Sequence, residues 1–415
     1  MNLLSPDLHQ KTVKIQDTAM TQLPLDGVRI IAVEQYGAGP YGSMYLADLG
    51  AEVIKIENPA IGGDVSRQTG PFFLGENDSY FYQTFNVNKK SLTLNLKSPE
   101  GRKVFEKLVK TADAVTNNLR GDQPQKLGIT YEQLKHINPK IVCGHLSAYG
   151  RDNDRASWPG YDYLMQAEAG LMSLTGEPDQ APTRFGVSMV DFMTGAVASL
   201  GLTAAMLGAH RTGQGRDVDV SLFDVALHQL SYPATWYLNE NHVVQRVARS
   251  AHPATVPCQL YKTQDSFVFL MAMTDKFWDV LVDILDDAVL KESRFAAVAG
   301  RRENRDVLTA EIDRVLAAHP TAHWLEVLKG RIPCAPVYDV PEALNNQYIR
   351  DIGMVQSVPH PANQKMEILA NPIKLDGQRL SGKAAVPMGT DTESLLKELG
   401  YSAAQIAELS AGKAV

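Results

Sequence analysis

The sequence predicts an α/β protein built on an open parallel sheet, and three observations carry that expectation. A β-loop-α-β unit lies early in the chain: residues 27–36 (GVRIIAVEQY) and 51–57 (AEVIKIE) are short apolar, β-branched runs. A glycine-rich turn and a helix-length segment separate them. Strand-like and helix-like segments then alternate to about residue 220. The length, 415 residues, exceeds what one small core organises and points to two or three domains.

Taken in order, Pro40 suits the first position of the first helix, where a missing N–H costs nothing, and Gly50 ends that helix. Residues 91–96 read as a strand, 99–110 as a helix, 113–117 as a strand, 131–136 as a short helix and 140–147 as a strand. Residues 160–176 and 191–211 read as long helices, the second rich in small residues that allow backbones to approach closely. A strand over 216–220 leads into an apolar helix over 221–238, and the polar stretch 239–250 reads as a linker. Strand-like runs within 255–273, helices over 277–285 and 305–318, and a proline-punctuated strand over 332–340 precede a closing α/β tail. Residues 1–24 lack the apolar centre of a secretory signal and read as a mobile leader.

Composition narrows the function. With 47 acidic against 40 basic residues, the net charge of −7 does not supply the basic face of a nucleic-acid binder. No apolar run approaches the ~18–20 residues of a bilayer span, so no membrane partner is expected. Cys143, Cys258 and Cys334 are far apart, without a C-x-x-C pair, which argues against a disulfide framework or a cysteine-rich metal site. The expectation is an enzyme of the reduced cytoplasm with no metal and no permanently bound cofactor. Cys258 lies in an apolar strand (VPCQLY) and reads as a small core residue rather than a nucleophile.

Gly37-x-Gly39-x-x-Gly42 follows a strand and opens a helix, and Glu57 closes the next strand 20 residues after Gly37. This is the pattern of a dinucleotide site and of an NAD-dependent oxidoreductase. Its physical content is broader, because glycines at a helix start serve any phosphate-bearing ligand or a merely structural turn. Pro40 also removes one N–H that a pyrophosphate would use.

Longer strings are more specific. LDGVRIIAVEQYGAGPYGSMYLADLGAEVIKIENP, NVNKKSLTLNLKSPEG, GYDYLMQAEAGLMSLTG and RTGQGRDVDVSLFD resemble the family III CoA-transferases. AHPATVPCQLYKTQDS, RIPCAPVYDV and VPMGTDTESLLKELG extend the likeness from about Leu25 to the C-terminus. In pattern the chain is most similar to the succinyl-CoA:dicarboxylate enzymes of that family.

The resemblance implies a large Rossmann-like domain (25–238 with a return segment, 332–415) and a smaller α/β domain with its linker (239–331). It also implies a homodimer of interlocked chains. It implies that CoA moves from an acyl-CoA, such as succinyl-CoA, to a carboxylic acid through an aspartyl anhydride and thioester. It places the relay at Asp191, where residue type alone would suggest a helix-capping acid. A carboxylate suits the task because, at its reference pKa of about 3.9, it is ionised without a partner base. Asp162 is implied to line or orient the site. Tyr36, Gly37, Ala38, Leu94, Lys97, Asn118, Leu119, Arg120, Lys126 and Tyr161 are implied to contact the CoA thioester, a substrate here. Arg120 and Lys126 are the phosphate candidates. Asn58 stands where many relatives carry Arg, and Arg67 is a substitute for that contact.

No Gly-Gly-Gly run exists to cover the intermediate, so backbone N–H groups of 250–255 are the candidate oxyanion hole. His252 and Arg249 are candidates for a substrate carboxylate, with Arg246 a further one. Racemases of the superfamily place His before the aspartate of a Gly-His-Asp motif, whereas this chain has Tyr161, a poor base with a reference pKa of about 10. The competing classes are the NAD-linked oxidoreductase and a CoA-binding protein without turnover.

Overall fold

The computed structural model describes residues 22–415, so the expected leader lies, as far as residue 21, outside the described residues. Strands β1 (Arg29–Val33), β2 (Glu52–Glu57), β3 (Lys90–Thr93), β4 (Ala114–Asn117), β5 (Val142–Ser147) and β6 (Arg216–Ser221) form one sheet. Their order is β3-β2-β1-β4-β5-β6, and every pairing is parallel. The order reverses between β1 and β4, which opens a crevice beyond their carboxyl ends, where ligands of such sheets bind.

Neighbouring residues of each strand serve opposite faces. Ile31, Ile54, Val115 and Cys143 pack with Val104, Phe105 and Leu108 of the helix α2 (Pro99–Val109), which follows α1 (Ala38–Asp48) in the chain. Ile30, Ala32, Val53 and Val142 pack on the other side with Leu46, Leu202 and Ala209. Burial on both faces is why these strands read as unbroken apolar runs.

Two further helices carry the site, α3 (Asp162–Glu168) and α4 (Met189–Thr212). Helix α4 crosses α1 backbone to backbone: a Cβ on Gly42 would lie 2.4 Å from the Gly195 carbonyl oxygen, and one on Gly195 would lie 2.4 Å from that of Ala38. The crossing draws the start of α4 against the start of α1. By length and composition α4 is apolar enough to cross a bilayer, with a mean hydropathy of 1.5. This corrects the expectation that no apolar run approaches that length. One side of α4 packs on α1, β5 and β6, while Val197, Leu200 and Leu207 are exposed.

The C-terminal segment closes the β3 edge. Asp391 Oδ2 accepts the Ser91 N–H at 2.9 Å, Thr392 Oγ1 accepts that of Thr93 at 3.0 Å, and the Ala414 carbonyl accepts that of Asn95 at 2.8 Å. Leu395, Leu396 and Leu409 join the core beneath β2 and β3. A second, separate core gathers Trp278, Leu281, Phe295, Leu308 and Ile312 beside an antiparallel sheet of β7 (Cys258–Lys262), β8 (Phe267–Met271) and β9 (Cys334–Pro336). That third strand comes from beyond residue 331, so the smaller sheet reaches into the stretch expected to return to the large domain.

Two expected helices are interrupted. The one over 160–176 stops after Glu168, because Gly170 is left-handed at φ +86°, and only a single 3-10 turn (Leu171–Leu174) follows. The one over 221–238 divides into Leu222–His228 and Ser231–Glu240, with Ser231 at φ +51° between them. The strand expected over 332–340 is confined to β9.

Candidate functional site

The start of α4 is capped from outside. Its backbone N–H at Asp191, one of the donors without an intrahelical partner, is accepted by Asp162 Oδ2 at 2.9 Å. Gln166 Nε2 donates to the other Asp162 oxygen at 2.5 Å and fixes that carboxylate on α3. Ser188, at the capping position itself, contributes no side-chain bond. Asp191 is therefore not a capping acid, and its own carboxylate takes no hydrogen bond among the described residues. Only 8% of Asp191 is exposed. Burial, and then the nearby Asp162 charge, push its carboxyl up to about 7. This corrects the premise that the group is fully ionised at neutral pH. The raised value is the signature of a buried acid in a cleft without a cationic partner.

Asp191 opens into a cavity of about 360 Å³ lined by Gln35, Tyr36, Gly37, Ala38, Asn118, Leu119, Arg120, Ser147 and Tyr161, among others. A second cavity, about 250 Å³, shares Gln35, Leu119 and Gln123 with the first and adds Asn58, Leu94 and Lys97. A third, about 470 Å³, shares Lys97 and Leu127 with the second and adds Arg102 and Lys126. Together they run as one groove past the carboxyl ends of the central strands, from the buried Asp191 carboxyl at one end to basic groups at the other. Every residue named from sequence for the CoA thioester lies along it except Asp162, which stands behind Asp191.

The β1–α1 turn is held firmly. Asn118 Oδ1 accepts the Gln35 N–H at 2.9 Å while Asn118 Nδ2 donates to the Gln35 carbonyl at 2.6 Å. Asp64 Oδ1 accepts the Tyr36 N–H at 3.0 Å, and Tyr36 sits at φ +68°, rare for a residue with a side chain. Asp64 was not singled out from sequence; nothing in its local pattern signals a contact 28 residues back.

The description of CoA-transferase family III matches residues 25–392. The chain belongs to that family. It is an enzyme, a CoA-transferase, and a CoA thioester is one of its substrates. It is 33% identical over 364 residues to the acetyl-CoA:oxalate CoA-transferase of Acetobacter aceti, which covers 85% of this chain and 90% of that one. It is 31% identical over 391 residues to the succinyl-CoA:glutarate CoA-transferase of Mus musculus, covering 94% and 89%. Among solved structures, a CAIB/BAIF family protein from Brucella suis superposes with a TM-score of 0.79 at 29% identity, over 91% of this chain and all (100%) of that one.

For this CoA-transferase the glycine motif has reasons other than a dinucleotide. A Cβ on Gly37 would lie 3.3 Å from Asp191 Oδ2, and one on Gly39 would lie 2.9 Å from the Asn118 side chain. Gly42 meets Gly195 in the helix crossing. Glu57, the expected ribose acid, is buried and bound by Arg67 through two bonds, Nε at 2.7 Å and Nη2 at 2.6 Å. Arg67 is 1% exposed and also donates to Tyr82 at 2.7 Å, so it is a buried structural cation rather than the expected phosphate contact. Asn58 Oδ1 accepts the Ala60 N–H at 3.0 Å and so caps the short turn that follows it.

Arg120 and Lys126 share the Asp122 carboxylate, at 3.4 and 2.5 Å, whereas Lys97 has no ion-pair partner among the described residues. Arg249 pairs with Asp313 at 2.5 Å, and neither it nor His252 lines the cavity that holds Asp191. His252 Nδ1 accepts the N–H groups of Ala254 and Thr255, each at 3.1 Å. Those two donors, expected for an oxyanion hole, are thus already engaged within their own loop. Burial and then Arg305 lower the His252 pKa, so its ring favours the neutral form. Cys258 is buried, and burial raises its thiol.

Proposed function

We propose that this enzyme moves CoA from an acyl-CoA, with succinyl-CoA as donor, to a dicarboxylic acid, using Asp191 as a covalent relay. The observation that carries this reading is a buried carboxylate without a hydrogen-bond partner among the described residues, at one end of a groove whose far end is basic. The relatives' names, acetyl-CoA:oxalate and succinyl-CoA:glutarate CoA-transferase, support a dicarboxylate as acceptor.

In the first step, an oxygen of ionised Asp191 attacks the thioester carbonyl and CoA leaves as its thiolate, which gives an aspartyl mixed anhydride. The thiolate then attacks the aspartyl carbonyl, releases the donor acid as a carboxylate and forms an aspartyl–CoA thioester. The acceptor carboxylate attacks that thioester, regenerating anhydride and thiolate. Attack of the thiolate on the acceptor's acyl carbon yields the new acyl-CoA and restores Asp191. No net proton is consumed, and a desolvated site protects both activated acyls from water. The Asp162 charge favours Asp191 attack by raising its basicity, while the pantetheine arm is positioned by the Tyr36–Ala38 turn and the phosphates by Lys97, Arg120 and Lys126.

The exposed apolar side of α4 supports a homodimer, and the three free thiols support a reducing, cytoplasmic setting. A donor and acceptor screen by mass spectrometry, run on wild type and Asp191→Ala, tests the function. New acyl-CoA should form only with the wild type and only with a carboxylic acid present. A thermal shift with NAD but not CoA would favour the oxidoreductase reading instead. Light scattering tests the dimer.

A further inference from the structure

A dicarboxylate acceptor brings a second negative charge into a site that already holds Asp191 and Asp162, and an uncompensated charge of that kind is costly to desolvate. The guanidiniums on this side of the molecule are mostly committed. Arg120 faces Asp122, Arg151 faces Asp217 and Asp219, Arg155 faces Glu168, and Arg249 faces Asp313. Arg246 uses both terminal nitrogens on the carbonyls of Ala181 and Pro178.

Arg184 differs. It has no carboxylate partner among the described residues, and only Nη1 is engaged, donating to the carbonyls of Phe185 and Gly186 at 2.8 Å each. The Nε–Nη2 edge, the fork that matches a carboxylate in two parallel bonds, is open. The guanidinium lies over the Tyr163 ring, 4.3 Å from its centroid, which orients the fork.

The residue that follows Arg184 is tied through its backbone to Asp191. The Phe185 N–H donates to Gln166 Oε1 at 2.8 Å, Gln166 Nε2 donates to Asp162 at 2.5 Å, and Asp162 accepts the Asp191 N–H at 2.9 Å. We propose that Arg184, stacked on Tyr163, binds the non-reacting carboxylate of a dicarboxylate acceptor and thereby sets the preference for diacids over monoacids. This rests on the Asp191 reading above.

The test compares glutarate with valerate, an acid of the same carbon count lacking the second carboxylate, in wild type, Arg184→Gln and Arg184→Lys. Loss of one charge-assisted pair should raise the KM for glutarate about 10- to 100-fold in Arg184→Gln. Turnover of valerate should stay within about twofold, and Arg184→Lys should fall between, because an ammonium keeps the charge but not the fork. Glutarate binding measured by calorimetry should weaken by a similar factor. Equal losses with both acids, or no loss with either, overturn the proposal. Hydroxylamine capture of the Asp191 acyl group from acetyl-CoA, a donor without a distal carboxylate, should be unchanged in Arg184→Gln. Its absence in wild type would remove the relay reading itself rather than the role of Arg184.

Discussion

Two sets of buried carboxylates lie on either side of the β1–α1 turn, and they are held in opposite ways. Beneath the turn, Glu57 is bound by Arg67, Asp64 lies 2.7 Å from the Lys55 ammonium, and Glu34 lies 2.9 Å from that of Lys89. Burial alone would raise Glu57 and Asp64, yet the Arg67 and Lys55 cations hold both below the usual carboxylate range. Above the turn, Asp191 and Asp162 lie together with no cation paired to either among the described residues, and Asp191 rises to about 7. Similar burial therefore yields a paired, ionised scaffold in one place and an unpaired acid of raised pKa in the other. The turn between them is fixed from below by Asp64, on Tyr36 N–H, and meets Asp191 above, at Gly37. The proposed relay thus stands on a base of paired charges.

The comparison can be broken by five variants, ordered by expected effect. Asp191→Ala should lower CoA exchange at least about 10³-fold. Circular dichroism and CoA affinity should be little changed, since the helix cap comes from Asp162. Breaking the paired side instead should unfold rather than inactivate: Arg67→Met strands Glu57 and should cost about 3–5 kcal/mol in urea denaturation.

Asp191→Asn separates the two regions by pH. A carboxyl whose folded pKa is raised binds more protons folded than unfolded between about 3.8 and 7, so its contribution to stability falls as pH rises through that window. The Asn variant should therefore be more stable than wild type at pH 8, by up to about 4 kcal/mol, with the gap closing below pH 4. Glu57 and Asp64 have the opposite slope, since their depressed values give stability above the ordinary carboxylate range that is lost as pH falls through the folded values. In parallel, kcat/KM for acyl-CoA should climb through an apparent pKa near 7, and Asp162→Asn should move that limb to lower pH. The smallest effect is expected at the groove's basic end, where Lys97→Ala should weaken CoA about 3- to 10-fold, more at low salt.

Much of the fold was legible because its strands are buried on both faces. Apolar, β-branched runs such as RIIAV and EVIKIE admit few other readings, and the small residues of α4 announced the close crossing with α1 that Gly42 and Gly195 make. Helix interruptions were not legible: Gly170 and Ser231 adopt positive φ, a local break that hydrophobic periodicity does not carry.

At the site, long motifs placed Asp191 and the groove residues, since these follow the strand ends in order. Pairing was invisible. Arg67 looked like a free cation because Glu57 and Tyr82 reach it only in three dimensions. Arg249 hid its Asp313 partner 64 residues away. Asp162 was marked as orienting, but its bond to the Asp191 N–H spans 29 residues, and the burial that chiefly raises the Asp191 pKa is likewise set only in three dimensions. Arg184 drew no notice, because an arginine in an exposed loop reads as solvated until its neighbours are known to lack carboxylates.

The central claim is that the Asp191 carboxylate carries the acyl group, and hydroxylamine trapping during turnover followed by peptide mass spectrometry tests it most directly. The account predicts an acyl-CoA-dependent hydroxamate on the peptide beginning near Met189, located at Asp191 and missing in Asp191→Asn. A hydroxamate at Asp162, or turnover with no tagged carboxylate at all, would contradict it.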